Sequence, residues 1–285
     1  MRGILRPVGS GGEPHGEPSL ADRAARYENA RDDRWDPVPE ALDRAIAADD
    51  ELGRAARHAR RTLPDRVEAR LCPILPAASI RRYFEALREV PRERFVMPED
   101  IALSAEDTPL GLDREGLATI SAPHAYLLTF ALLDLREGDH LVELGTGTGY
   151  GAALGLSIVG PRGHVTSVEI DPVLAARARR VLALLGGGEP GRLTLIEGDG
   201  CRVAEEAMIA LGARGGSLKV AFTFGLARAP DRLVSLLPEG AVLVAPVGRP
   251  TFWDDEGQEL MRWERRGGAI QAASHGPVRY VIERH

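Results

Sequence analysis

The stretch HLVELGTGTGYG (His140–Gly151) joins a short apolar run to a cluster of alternating glycines. The run predicts a β-strand. Gly145, Gly147 and Gly149 predict a tight turn, because glycine adopts positive φ and lets a ligand approach the backbone. Their spacing, G-x-G-x-G, differs from the dinucleotide fingerprint G-x-G-x-x-G. Taken alone, the cluster fits either a ligand-binding turn or a plain connection between a strand and a helix.

Strands and helices alternate around this turn. A helix is expected over 122–135, before the first strand, and another directly after the glycines. The predicted strands are, in order, HLVELG, HVTSVEI, RLTLIEG, LKVAFTF, AVLVAPVG, ELMRWER and PVRYVIE. Helical segments separate the first five, which predicts an α/β fold with a doubly wound, mainly parallel sheet. The last two have no helix between them and predict an antiparallel hairpin at one edge.

The chain divides into three zones. Residues 1–19 are rich in Gly and Pro and are predicted to be disordered. Residues 20–100 are predicted to be helical. In that region AASIRRYFEALREV carries apolar residues at three- and four-residue steps and ends at Pro91. Residues 101–285 hold the alternating pattern.

Composition limits the possible classes of protein. The chain has 285 residues, of which 44% are hydrophobic and 27% charged, as expected for a soluble globular protein. Its net charge of −6 argues against a general nucleic-acid binder, since phosphate contacts need a basic surface. Cys72 and Cys201 lie far apart, lack the spacing of metal ligands and are expected to be free thiols. No membrane span or signal peptide is evident, so a cytoplasmic protein is expected.

Polar residues follow two further strands on the same edge of the predicted sheet. Glu169 ends the second strand, where a carboxylate accepts hydrogen bonds from ribose hydroxyls. Asp199 and Gly200, in EGDG, follow the third strand, where the acid faces an adenine amino group. Alternatively, Glu169 is a solvated acid and Asp-Gly a common turn pair. Together with the glycine turn, these residues favour a cofactor that contains adenosine.

These residues carry a resemblance. VELGTGTGYG, the acid of VEI and EGDG resemble the cofactor motifs of class I S-adenosylmethionine-dependent methyltransferases. A more specific series resembles the protein-L-isoaspartate O-methyltransferase family. It consists, in order, of VPRERFV (Val90–Val96), EDTPL (Glu106–Leu110), ATISAPHA (Ala118–Ala125) and GPVRYV (Gly276–Val281). The resemblance covers residues 60–285 approximately.

The resemblance implies a fold, a cofactor and a set of site residues. The fold is a seven-stranded Rossmann-like methyltransferase sheet with an N-terminal helical extension, so that 101–285 is the methyltransferase domain. The cofactor is S-adenosyl-L-methionine, no metal is needed, and Ser121 is the catalytic residue. Gln258 matches by position a glutamine that follows the fifth strand. The implied cofactor contacts are Ala118, Thr119, Ile120, His124, Glu143, Gly145, Thr146, Gly147, Gly149, Glu169, Ile170, Asp199, Gly200 and Gln258.

Local chemistry offers a simpler interpretation of the ATISAPH stretch. Ser121 is also a good N-cap, because it precedes Pro123 and an apolar helix. A helix N-terminus offers unpaired N–H groups that favour a carboxylate, so capping and function are compatible. His124 is alternatively a surface residue of the first helical turn.

Three functions remain open from the sequence. The first is methylation of the free α-carboxylate of L-isoaspartyl or D-aspartyl residues in damaged proteins, by a monomer without nucleic-acid or membrane partners. The second is methylation of one dedicated peptide or small-molecule carboxylate. It is suggested by departures from the family pattern in LGLDREG (Leu110–Gly116) and LKVAFTFGLARAP (Leu218–Pro230). The third is a non-catalytic module that binds S-adenosylmethionine.

Overall fold

A computed structural model describes residues 44, 50–71, 77–112, 118–186, 191–212, 217–249 and 257–282. The predicted disordered segment 1–19 and Cys72 lie outside the described residues. The α-helices with described bounds are α1 (Glu51–Leu71), α2 (Ala77–Glu89), α3 (Pro123–Leu133), α4 (Tyr150–Val159), α5 (Pro172–Leu184), α6 (Gly200–Gly212) and α7 (Asp231–Leu236). The strands are β1 (Leu110–Gly111), β2 (Thr119–Ile120), β3 (His140–Leu144), β4 (His164–Glu169), β5 (Leu193–Glu197), β6 (Leu218–Phe222), β7 (Val242–Val247), β8 (Gln258–Arg266) and β9 (Ala269–Val278).

The main sheet has seven strands in the order β5-β4-β3-β6-β7-β8-β9. The first five strands of that order are parallel, and β8 and β9 are antiparallel to their neighbours. The predicted doubly wound, mainly parallel sheet with an antiparallel edge hairpin is therefore confirmed. The chain order reverses at β3, whose two neighbours are β4 and β6, and ligands of such sheets bind outside the carboxyl ends of the strands at this point.

Helices cover both faces of the sheet. Helices α1 to α5 contribute to the apolar core on one face, and α6 and α7 to the core on the other. Alternate residues of a strand face opposite sides of a sheet, so Leu141 joins the first core while Val142 and Leu144 join the second. The helical extension is part of the first core, because Leu63 and Val67 of α1 are buried there.

Helices α2 and α5 show two local features that are visible in the sequence, a buried apolar face and an N-cap. Helix α2 confirms the predicted amphipathic helix: its Tyr83, Phe84 and Leu87 are buried and Pro91 follows its last turn. In α5, Asp171 is the N-cap and its Oδ1 accepts hydrogen bonds from the N–H groups of Val173 and Leu174 at 2.9 and 3.2 Å.

The predicted last strand, PVRYVIE at 277–283, is wrong at 279–282, and residue 283 lies outside the described residues. Strand β9 begins at Ala269 instead, directly after a turn in which Gly267 and Gly268 have φ of 63° and 79°. Two glycines with positive φ form the tight turn typical of a two-residue hairpin. Most side chains of β9 are exposed because it is the edge strand, so its sequence lacks the alternating apolar pattern of a half-buried strand.

A small second sheet was not predicted. Leu110 pairs with Ile120 and Gly111 with Thr119, antiparallel. The Leu112 N–H extends this pairing by donating to the Ala118 carbonyl at 2.9 Å. The β1–β2 pairing brings the EDTPL stretch beside ATISAPH, so that Asp107 of the first stretch lies within hydrogen-bond distance of His124 in the second.

Candidate active site

The glycine turn follows β3 at the reversal point of the sheet. Gly145, Gly147 and Gly149 have φ of 98°, 56° and 94°, as the predicted tight turn requires. A Cβ at Gly145 would overlap the Thr223 hydroxyl, and one at Gly149 would lie 2.9 Å from Leu182. The turn is thus a cradle of bare backbone at the carboxyl edge of the sheet.

The carboxylate of Glu169 lies against this turn. Its Oε2 accepts a hydrogen bond from the Gly147 N–H at 2.7 Å, and its Oε1 accepts one from the Asp171 N–H at 3.0 Å. Glu169 is buried at the end of β4, and Ile170 follows it directly. The structure therefore brings the predicted ribose-binding acid to the glycine turn.

Asp199 and Gly200 occupy the next strand end. Asp199 caps α6: its Oδ1 accepts hydrogen bonds from the N–H groups of Cys201 and Arg202 at 2.8 and 3.3 Å. This cap starts α6 earlier than the predicted segment AEEAMIALG. A Cβ at Gly200 would lie 3.2 Å from the Leu144 side chain, so glycine permits close packing there. The contact of Asp199 with adenine stays a prediction.

Glu143 belongs to a buried polar network beneath the turn. It is 1% exposed, and its Oε2 accepts a hydrogen bond of 2.6 Å from the Ser167 hydroxyl. The Ser167 hydroxyl also lies 2.6 Å from the Thr146 hydroxyl. Burial, and then the charge of Glu169, raises the pKa of Glu143 to about 8. Glycine at Gly151 makes room for this carboxyl, whose Oε1 has no hydrogen-bond partner among the described residues.

The start of α3 corrects the interpretation of Ser121 as an N-cap. The N-cap is Ala122, and no side chain of that residue caps the helix. Asp107 takes this role from a distant part of the sequence, since its Oδ1 accepts a hydrogen bond of 2.9 Å from the His124 N–H. The Ser121 hydroxyl is therefore not needed to start the helix.

His124 is oriented by the same acid. Its Nδ1 lies 3.0 Å from Asp107 Oδ1, and Arg70 Nη1 of α1 lies 3.6 Å from Asp107 Oδ2. Burial alone would raise the pKa of the Asp107 carboxyl, but the hydrogen bonds and charge of His124 outweigh burial and lower it. The sequence analysis identified the EDTPL stretch but assigned no role to Asp107.

The peptide groups of Ser121 are held from two sides. The Ser121 N–H donates to the Tyr126 hydroxyl at 3.4 Å, and Arg92 Nη2 donates to the Ser121 carbonyl at 3.3 Å. Neither Tyr126 nor Arg92 was named from the sequence. Arg92 lies in the quoted motif VPRERFV, and Tyr126 directly follows ATISAPHA, but nothing in the residue types indicated that they contact Ser121.

A narrow cleft is lined on one side by Ser121 and on another by Thr223, which follows β6. Its lining residues are Ser121, Ala125, Tyr126, Thr129, Phe130, Ala221, Phe222, Thr223 and Tyr280. The Thr223 hydroxyl donates to the Gly145 carbonyl at 2.6 Å, so one wall of the cleft is fixed to the turn. Of the predicted residues near it, Ala118 lies just before β2, and Thr119 and Ile120 form that strand.

Gln258 begins β8, three strands away from β3 and the glycine turn, along the same edge of the sheet. It is fully buried at the start of β8, and its Oε1 accepts a hydrogen bond of 2.6 Å from the Tyr280 N–H. Its Nε2 has no hydrogen-bond partner in the described part of the chain. A Cβ at Gly225 would overlap that amide, so Gln258 joins the loop after β6 to the C-terminal segment. Its predicted cofactor contact stays a prediction.

The described residues contain neither a cluster of metal ligands nor a membrane-spanning helix. Within those residues, the His, Cys, Asp and Glu side chains form no group of three or more that is arranged to hold a metal ion. None of the helices in the same ranges is long and apolar enough to cross a membrane.

Comparison with known proteins gives a consistent result. The family model described as Protein-L-isoaspartate(D-aspartate) O-methyltransferase matches residues 77–283. Protein-L-isoaspartate O-methyltransferase 2 of Archaeoglobus fulgidus is 37% identical over 203 residues, which cover 70% of this chain and 84% of that protein. The protein of the same activity from Methanothermobacter thermautotrophicus is 36% identical over 192 residues, covering 67% and 79%.

Solved structures support the fold. A protein-L-isoaspartate O-methyltransferase structure aligns with a TM-score of 0.62 at 22% identity, over 79% of this chain and 66% of that chain. A Plasmodium falciparum protein assigned to the same activity, in complex with S-adenosyl-L-homocysteine, aligns with a TM-score of 0.61 at 19% identity, over 78% and 97%. At these identities the alignments establish the shared fold alone. The match of the family model begins at residue 77, so α1 lies outside it.

Proposed function

Because the chain belongs to the protein-L-isoaspartate(D-aspartate) O-methyltransferase family, we infer that it is an enzyme that uses S-adenosyl-L-methionine. It transfers a methyl group to the free α-carboxylate of L-isoaspartyl residues, or to the free β-carboxylate of D-aspartyl residues, in damaged proteins and peptides, which initiates their repair. The observation that carries this proposal is the arrangement at the reversal point of the sheet: Glu169 accepts a hydrogen bond from Gly147 of the glycine turn, and Thr223 connects that turn to the cleft lined by Ser121.

The residues at the carboxyl edge of the sheet fit the cofactor. Gly145, Gly147 and Gly149 all have positive φ, so the turn presents its backbone without Cβ atoms at these three positions, and Gly145 packs directly against Thr223. We assign Glu169 to the ribose hydroxyls, because a strand-end carboxylate at this position suits them, and Asp199 to the adenine. When bound, S-adenosyl-L-methionine supplies an electrophilic methyl group on a sulfonium.

The acceptor needs little chemical activation from the protein. An α-carboxylate has a reference pKa below 4 and is ionised at neutral pH, so no general base is required. The protein must hold the carboxylate in line with the methyl group. The N–H groups of Ser121, His124 and Ala125 already donate within the chain. We therefore assign the Ser121 hydroxyl as the donor that orients the acceptor carboxylate.

Methylation converts the isoaspartyl carboxylate into a neutral ester, whose methoxide is a much better leaving group than the oxygen of a carboxylate. The next backbone nitrogen of the substrate then attacks the ester carbonyl and expels methanol, which gives a succinimide. Hydrolysis of that ring returns part of the material to normal aspartate. These later steps follow from the chemistry of the ester.

A panel of peptides tests the proposal. Several peptides of unrelated sequence are made in isoaspartyl and aspartyl versions, and methyl transfer from S-adenosyl-L-methionine is measured. Transfer to the isoaspartyl version of most sequences supports repair of damaged proteins. Transfer to a single sequence would instead support a dedicated peptide substrate, and no transfer to any of them would overturn the assignment.

We further propose that the chain acts as a monomer in the cytoplasm, without a nucleic-acid or membrane partner. The net charge of −6 supports the exclusion of nucleic acid. Sedimentation of the purified protein tests the oligomeric state, and fractionation of cells that express it tests the location.

A further inference from the structure

Arg92 is buried at the centre of the motifs that surround Ser121. Its side chain is 2% exposed and among the largest that are fully buried. Nη1 donates to the Glu106 and Ser104 carbonyls at 2.8 and 3.4 Å. Nη2 donates to the Thr108 and Ser121 carbonyls at 2.7 and 3.3 Å. One guanidinium thus ties the EDTPL region to ATISAPH.

Among the described residues, Arg92 forms no ion pair. Its four acceptors are neutral carbonyls, and Asp107 and Asp100 act on its charge only from beyond ion-pair distance. Glu93, the next residue, is paired with Arg60 at 2.5 Å, and Asp107 is bonded to His124. Burial lowers the pKa of Arg92, yet a guanidinium with a reference value above 12 stays protonated at neutral pH.

A buried, unpaired charge is unfavourable unless something offsets it. The substrate of the proposed reaction brings the opposite charge, because its acceptor is a carboxylate. Arg92 Nη2 lies 3.3 Å from the carbonyl oxygen of Ser121, the residue whose hydroxyl is assigned to the acceptor. In a buried site of low effective dielectric constant, a positive charge attracts a carboxylate more strongly than it does in water.

We propose that Arg92 is a positioning residue for the methyl acceptor. It holds the Ser121 peptide group from the carbonyl side, while Tyr126 holds it from the N–H side. Its positive charge favours an anionic carboxylate beside the Ser121 hydroxyl. This inference rests on the proposed function, because it names how that site selects its acceptor.

Two substitutions separate charge from packing. Arg92→Lys keeps the positive charge but cannot reach all four carbonyls, whereas Arg92→Gln removes the charge. The probes are an isoaspartyl peptide and its α-methyl ester. The dissociation constant of each is measured in the presence of S-adenosyl-L-homocysteine, and their ratio gives the preference for the free carboxylate. We expect the wild type to prefer the free carboxylate, and Arg92→Gln to lose that preference by on the order of ten- to fiftyfold. Arg92→Lys retains most of it, with a lower kcat.

The controls separate these effects from general damage. The affinity of both variants for S-adenosyl-L-homocysteine is expected to stay within about twofold of the wild-type affinity. The reason is that Arg92 contacts Ser121, which is assigned to the methyl acceptor, and none of the residues assigned to the cofactor's ribose or adenine. Tyr83→Phe is the matched control. It removes a buried hydroxyl that donates to the Phe130 and Leu135 carbonyls, at the far end of α3. It should lower the melting temperature and leave the peptide preference unchanged.

The proposal is overturned if Arg92→Gln keeps the wild-type preference, or if cofactor affinity falls in step with peptide affinity. If neither Arg92 variant folds, the wild type decides. The proposal then requires the wild type to bind the free-carboxylate peptide more tightly than its α-methyl ester, and equal affinities refute it. Failure of the proposed function is distinct, because the wild type itself would then not methylate the isoaspartyl peptide.

Discussion

Glu169 at the end of one strand accepts a hydrogen bond of 2.7 Å from the N–H of Gly147, in the turn that follows the neighbouring strand. The acid therefore supports the glycine turn as well as lying where the ribose is assigned. Its pairing partner in the sheet is Glu197, at the corresponding end of β5. This pair allows the role of Glu169 to be tested against a chemically identical neighbour.

Glu169→Ala is expected to weaken binding of S-adenosyl-L-homocysteine by about 1.5–3 kcal/mol, because it removes hydrogen bonds to a charged group. Glu197→Ala is the control, since Glu197 is exposed and its carboxylate faces Arg179 at 3.5 Å. Isothermal titration calorimetry measures both. Equal affinity of the two variants would show that Glu169 does not bind the ribose.

Asp107→Ala is expected to cost about 0.5–2 kcal/mol of unfolding free energy, because it removes the acceptor that caps α3. Ser121→Ala should leave stability nearly unchanged, since the Ser121 side chain caps nothing. Urea denaturation of both variants provides the comparison. A loss of stability in Ser121→Ala but not in Asp107→Ala would restore the serine cap that the sequence predicted.

Stability should fall between pH 6.5 and pH 4 because of His140. Its Nε2 lies 3.0 Å from the Thr166 hydroxyl, and its ring centroid lies 4.8 Å from that of His164. Burial, and then the charge of His164, lowers the pKa of His140 to about 4. In this range the unfolded chain binds a proton that the folded chain does not, so acid favours unfolding.

We expect this group to contribute about 1–2 kcal/mol of that loss, after allowance for its partial exposure. His140→Gln should reduce the slope of unfolding free energy against pH in this window. Identical slopes for the variant and the wild type would contradict the assignment to His140.

Leu63→Ala in α1 is expected to lower the free energy of unfolding by about 2–5 kcal/mol, because it leaves a cavity in the core that α1 to α5 share. This prediction tests whether α1, which lies outside the family match, is part of the folded core. Leu63 is 2% exposed, whereas Leu103 is 46% exposed. Leu103→Ala should therefore change stability little. Thermal melts compare the two, and equal effects would mean that α1 does not stabilise the core.

Local patterns were sufficient for much of this fold. Strand β3 and the turn at Gly145 were predictable because an apolar run followed by glycines restricts the backbone to few conformations. The last hairpin was not, because β9 is exposed at the sheet edge and its register depends on the turn at Gly267 and Gly268. That glycine pair was the usable signal.

The site was predictable only in part. The strand ends that carry Glu169 and Asp199 follow from the parallel topology, which brings them to one edge. The helix cap was not predictable, since Asp107 reaches α3 from 17 positions before His124. Arg92 was missed for a similar reason: its acceptors are carbonyl groups of distant residues, and a hydrogen bond to a carbonyl leaves no trace in the residue types.

Single-turnover methylation of an isoaspartyl peptide by the wild type, Ser121→Ala and Ser121→Asp tests the central claim most directly. Thermal melts of the same samples serve as the control for folding. The wild type should methylate the isoaspartyl peptide and not its aspartyl version. Ser121→Ala should lose about ten- to a hundredfold in rate at an unchanged melting temperature, since it removes a hydrogen bond to a charged acceptor. Ser121→Asp should be slower still, because its charge repels the carboxylate. A stable and fully active Ser121→Asp variant would contradict the account.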